Sequence, residues 1–113
     1  MIYTAESIAV AKAELSGHVN LSLIPDAVLI VFEVPDDMVE ALKHIPENFD
    51  EIPPNAATKS IGDEFVASKK FLGLKVPSRY DEQSYNVLLN PGFPDFNRLV
   101  KVKEIKPLIT SVF

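Results

Sequence analysis

The sequence contains no cysteine among its 113 residues. That excludes a disulfide framework, a thiolate nucleophile and any cysteine-ligated zinc or iron–sulfur centre, and it fits a reducing compartment. Histidine is nearly as scarce: His18 and His44 are the only two, which argues against a multi-histidine metal site, so no metal is expected. Arginine is limited to Arg79 and Arg98, and the net charge is −5. Nucleic-acid affinity needs clustered cations, so nucleic acid is not an expected partner. No apolar run reaches the roughly 18–20 residues of a membrane span. The opening Met-Ile-Tyr-Thr-Ala-Glu-Ser lacks the basic start of a secretory signal. These absences together point to a cytoplasmic protein with no membrane contact.

What is present suits one folded domain. Apolar residues make up 47% and charged residues 24%, the usual globular mix. A chain of this size buries about two-thirds of its unfolded surface, so its core has little to spare.

The pattern along the chain alternates strand-like and helix-like segments. Residues 1–3 read as the end of a short strand. A helix is expected over about 6–16, with Thr4 as N-cap, Ile8, Ala11 and Leu15 as its buried stripe, and Gly17 as its stop. Ala5, Ala9 and Ala13 form a row of small residues beside that stripe. Residues 27–34 hold six consecutive apolar side chains between Pro25 and Pro35, which predicts a strand covered on both faces at the centre of a sheet. The stretch 38–43 fits either a strand or a turn of helix. Prolines and acids over 45–55 mark a surface loop. A second helix is expected over about 57–70 with Ile61, Phe65 and Val66 inward, and Gly62 allows close packing there. Strands follow at 71–76 and 85–89, the latter closed by Asn90-Pro91-Gly92. The alternation over 99–105 predicts a half-exposed strand with Lys101, Lys103 and Glu104 in solvent. The fold class is therefore mixed α/β (α+β), in one domain.

Chemistry-bearing motifs are sparse. There is no glycine-rich phosphate loop, no Ser-x-x-Lys and no Gly-x-Ser-x-Gly. Asp36-Asp37 read as turn formers rather than as metal ligands. His18 and His44 read as solvated loop residues. Glu14 differs, because it lies on the first helix beside the alanine row and directly downstream of Tyr3. A carboxylate and an aromatic ring can meet there at the mouth of a cleft.

Four blocks in order resemble the RES domain family: Met-Ile-Tyr-Thr-Ala-Glu-Ser (1–7) with its Ala-rich helix, Ile-Gly-Asp-Glu-Phe-Val-Ala-Ser (61–68), Leu-Lys-Val-Pro-Ser (74–78), and Tyr-Asn-Val-Leu-Leu-Asn-Pro-Gly-Phe-Pro-Asp-Phe (85–96). The resemblance implies a fold like that of ADP-ribosyltransferase toxins, within a single mixed-sheet domain over 1–113. It implies the toxin of a type II toxin–antitoxin module, partnered by an Xre-family antitoxin. It implies NAD+ as substrate rather than cofactor, with cleavage of the nicotinamide–ribose bond.

The family is named for an arginine, a glutamate and a serine, and a tyrosine also lines its pocket. The tyrosine maps to Tyr3 and the glutamate to Glu14, eleven residues later. The serine position falls in the stretch 55–58, which holds no serine; it matches either Thr58, which offers a hydroxyl, or Ala57. The arginine belongs upstream of the tyrosine strand, so the expectation is a domain short at its N-terminus, with weak or no turnover by these 113 residues. The alternative is a catalytically silent remnant that binds the antitoxin. Apolar surface left uncovered by such a shortening would favour a homodimer.

Overall fold

Alternating apolar positions build two sheets of unequal size. The computed structural model describes residues 1–16, 28–43, 45, 46, 49, 56–78 and 83–107. Its elements are β1 (Ile2–Ala5), α1 (Ile8–Ser16), β2 (Val28–Glu33), β3 (Val39–Ala41), α2 (Ala56–Ser68), β4 (Gly73–Pro77), β5 (Tyr85–Leu89), α3 (Phe96–Leu99) and β6 (Lys101–Pro107). The main sheet has the order β1-β5-β4-β3, and β2 pairs with β6 in a separate two-stranded ribbon. All pairings are antiparallel except β3 with β4. The mixed α+β class expected from the sequence is the one observed.

Residues directly opposite one another across paired strands share a face. Tyr3 faces Leu88, and Ala5 faces Asn86. Leu88 in turn faces Leu74, and Asn86 faces Val76. One face of the sheet therefore carries Tyr3, Asn86, Leu88, Leu74 and Val76. Helix α2 covers part of this face, where Phe65 packs with Leu74 and Leu88, flanked by Ile61 and Val66. The opposite face presents Leu89 to Leu72 and Val100, with Phe32, Val34 and Phe96 around them. Gly62 is buried, and a Cβ there would stand 3.3 Å from the Met1 methyl carbon Cε. The close packing expected at that glycine is present, with Met1 as the neighbour.

Several local expectations change. Helix α1 starts later, because Ser7 rather than Thr4 is its cap: Ser7 Oγ accepts the Val10 N–H at 3.2 Å. Thr4 lies within β1 and donates its hydroxyl to the Val87 carbonyl at 2.7 Å. The buried residue of α1 is Val10, while Ile8 is exposed. The inward face is therefore the one that Val10 shares with Glu14, one turn on.

The apolar segment at 27–34 is not the sheet centre. Among the described residues it pairs only with β6, and just its C-terminal end, Phe32 and Val34, reaches the core. Val28 and Ile30 remain 56% and 42% exposed. The undecided stretch at 38–43 resolves into β3, preceded by a 3-10 turn over Asp36–Met38 that contains both acids. A short helix, α3, precedes β6 and was not expected. It starts from Asp95 in the left-handed region, φ 62°. Lys69 also takes a positive φ, 53°, just past the end of α2, the usual conformation for the residue after a helix. Gly17, His18, His44, Arg79 and most of the 45–55 loop lie outside the described residues.

Candidate functional site

Glu14 is the point where three elements meet. Helix α1 is tied to β5 at both ends. Before its first turn, Glu6 Oε1 accepts the Tyr85 N–H at 3.4 Å. Near its last turn, Glu14 Oε1 accepts the Asn86 Nδ2–H at 2.6 Å. The same oxygen accepts the Ser78 hydroxyl at 2.9 Å. Ser78 is 2% exposed, and its N–H donates to the Ser84 carbonyl at 3.1 Å. That backbone bond closes the connection between β4 and β5 and holds the hydroxyl beside the helix.

The carboxylate is half-buried. Both donors fall on Oε1, and no described residue bonds Oε2. Hydrogen bonds to an ionised acceptor are the stronger kind, and two on one atom fix the plane of the group. The arrangement is an oriented carboxylate with one oxygen engaged and one available.

Tyr3 lies on the same face of the sheet. Its cross-strand partner Leu88 is two residues along β5 from Asn86, so Tyr3 and Asn86 are diagonal neighbours, roughly 7–8 Å apart. Its side chain is 72% exposed. An exposed aromatic ring on the same face as a held carboxylate can stack on a planar ligand group while the carboxylate meets a cation or a hydroxyl.

Thr58 sits in the first turn of α2 and is half-buried. It is not one of the donors to Glu14. The structure thus brings Tyr3 and Glu14 to one face and adds two residues that the sequence reading did not assign, Ser78 and Asn86. Both were inside recognised blocks, 74–78 and 85–96. The available signal was a serine directly after a strand-ending proline and a polar residue within an otherwise apolar strand.

Arg98 is engaged elsewhere: its guanidinium meets Asp95 Oδ2 at 3.1 Å on an exposed surface. Among the described residues no cluster of three or more histidines and acids could hold a metal ion. No described helix is long and apolar enough to cross a membrane. A cavity of about 270 Å³ lies at the far edge of the sheet, lined by Glu40–Lys43, Ile61 and Leu74. It contains none of the residues around Glu14.

The sequence is similar to those of several known proteins. The chain is 29% identical to a protein named Toxin Res from Photorhabdus laumondii over 102 residues, 88% of this chain and 65% of that protein. It is 30% identical to the Prs ADP-ribosylating toxin of a Sphingobium strain, over 84% of this chain and 63% of that one. It is 32% identical to a Toxin Res from Yersinia enterocolitica, over 95% and 71%. The chain thus spans about two-thirds of the length of these relatives. The model of the RES domain matches residues 1–111, and the chain belongs to the RES domain family.

Proposed function

We propose that this chain is a RES-type toxin that binds NAD+ and breaks the bond between nicotinamide and ribose, with Glu14 as the catalytic carboxylate. The observation that carries the reading is the state of Glu14: half-buried, pinned through Oε1 by Ser78 and Asn86, and open at Oε2 on the face that displays Tyr3. As the C1′–N bond lengthens, its electron pair leaves with the nicotinamide nitrogen and positive charge grows on the ribose ring. A carboxylate already oriented toward that ring stabilises the charge without reorganising, usually the largest catalytic contribution. Oε2 also accepts a hydrogen bond from a ribose hydroxyl. Tyr3 packs against the nicotinamide or the ribose, and Thr58 orients the substrate through its hydroxyl. Water then adds to C1′ and loses a proton, giving nicotinamide and ADP-ribose.

The relative named Prs ADP-ribosylating toxin favours a second outcome of the same bond cleavage, in which a protein nucleophile replaces water at C1′. The proposed setting is the cytoplasm, where the proposed protein partner is an Xre-family antitoxin. Self-association into a homodimer is a further proposal, checked by sedimentation of the purified chain.

The deciding test is nicotinamide release from NAD+ by the purified chain beside Glu14→Gln, which keeps the acceptor for Ser78 and Asn86 but removes the charge. Release that falls by about 10²–10³-fold in the variant supports the reading. No release from a folded wild-type chain favours the alternative of a silent, antitoxin-binding domain.

A further inference from the structure

Asn86 is bonded at one end only. Its Nδ2 donates to Glu14 Oε1 at 2.6 Å, while its Oδ1 is buried and has no hydrogen-bond partner. The orientation of the amide admits no alternative, because turning it over would set its carbonyl oxygen against the carboxylate. A buried acceptor without a partner costs free energy, and each such group in a native fold calls for an explanation. An apolar residue of similar size would remove that cost, and with it the bond to Glu14. Leu88, two residues along on the same face, shows that the sheet accommodates one.

We infer that Asn86 is a positioning residue, retained to hold the Glu14 carboxylate rather than to stabilise the fold. Its donor and the Ser78 hydroxyl occupy the same oxygen. Together they hold Oε1 from two sides and leave Oε2 without a donor among the described residues. Ser78 alone fixes one contact point and leaves the group free to swing about it. Asn86 supplies a second direction of bonding at the same oxygen. It acts through Glu14 and is not proposed to touch substrate. The inference rests on the reading of Glu14 as the catalytic group for nicotinamide release.

The two roles make opposite predictions for Asn86→Leu. A structural residue loses stability on replacement. A positioning residue with an orphaned acceptor leaves the unfolding midpoint nearly unchanged, because removing the orphan offsets the lost bond to Glu14, while the reaction slows. Misplacing a catalytic group costs on the order of 10²-fold, and the loss should fall in kcat with KM changed by less than about twofold, since ground-state binding does not run through Asn86.

The experiment measures urea unfolding and steady-state nicotinamide release for wild type, Asn86→Leu and Asn86→Asp. The second variant keeps the size and replaces the donor with an acceptor, so turnover should fall at least as far even if Asn86→Leu folds poorly. A lowered kcat at unchanged KM, in an Asn86→Leu chain with an unfolding midpoint near that of wild type, supports the inference. Wild-type turnover in both variants overturns it, as does a rate loss that merely tracks lost stability. A folded wild-type chain that releases no nicotinamide overturns the underlying reading of Glu14, and that failure is distinguishable because it shows before any variant is compared.

Discussion

The two ends of β5 handle an asparagine in opposite ways. Asn90, just past the C-terminal end, is 1% exposed and satisfied on both sides. Its Nδ2 donates to the Val66 carbonyl at 3.0 Å, and its Oδ1 accepts the Gly92 N–H at 2.9 Å. It closes the Asn-Pro-Gly turn and fastens it to α2, with Leu89 beside it in the core. Asn86, near the N-terminal end, has a partner for its donor and none for its acceptor. One amide is part of the scaffold. The other leaves a bond unmade in order to hold a carboxylate. One five-residue strand thus anchors the fold at one end and the site at the other, and predictions can be ordered along it.

The largest stability effect belongs to the core end. Leu89 is 1% exposed and packs with Leu72 and Val100. Leu89→Ala should cost about 2–5 kcal/mol by removing buried methyl groups and leaving a cavity, measured as a lower urea midpoint at unchanged slope. Asn90→Ala comes next. It strands the Gly92 N–H and one lone pair of the Val66 carbonyl, and the expected loss is about 1–3 kcal/mol. The contrast with Asn86 breaks if Asn86→Leu destabilises as much as Asn90→Ala, because both amides would then be scaffold.

A smaller effect tests the strand between the two ends. Gly73 in β4 lies opposite Leu89. A Cβ there would stand 3.1 Å from Val39 Cγ2 and 3.2 Å from Val87 Cγ1. Gly73→Ala should overpack this contact and cost about 1 kcal/mol. The two valine side chains must give by a few tenths of an ångström. Adding Val87→Ala should recover part of the loss in a double-mutant cycle, whereas strict additivity would show that the two positions do not touch.

The core end was readable in the sequence and the site end only in part. β5 stands out because an apolar run is stopped by Asn-Pro-Gly, and α2 stands out because Ile61 and Phe65 repeat at helical spacing. Both are local signals. The misplacement of 27–34 has a different origin. Six apolar residues in a row say that a strand forms, not which strand it pairs with. Pairing with β6 leaves Ile105 63% exposed and Val102 53% exposed, which no local pattern announces. Within the site, Tyr3 and Glu14 are close in sequence and were assigned together. Ser78 and Asn86 reach Glu14 across 64 and 72 residues. A serine after a strand-ending proline reads locally as a turn former, so its contact with a helix near the other end of the chain becomes visible only once β4 and β5 bring the two together.

The smallest effect concerns the arginines. If Arg98 supplied the site with a phosphate-binding cation, its loss would raise KM for the proposed substrate, NAD+, because a bidentate guanidinium–phosphate contact is strong and specific. Its position argues otherwise. Arg98 is 72% exposed and pairs with Asp95, 64% exposed, one turn back on α3. α3 packs through Phe96 and Leu99 on the face of the sheet that carries Leu89, opposite the face that carries Tyr3 and Asn86. An exposed pair of this kind contributes about 0–1 kcal/mol. Arg98→Gln should therefore shift the unfolding midpoint barely at all and leave both kcat and KM for nicotinamide release as in wild type. A raised KM with an intact fold would mean that substrate extends around the sheet edge to α3. It would also make the scaffold end of β5 part of the site, removing the separation of roles along this strand.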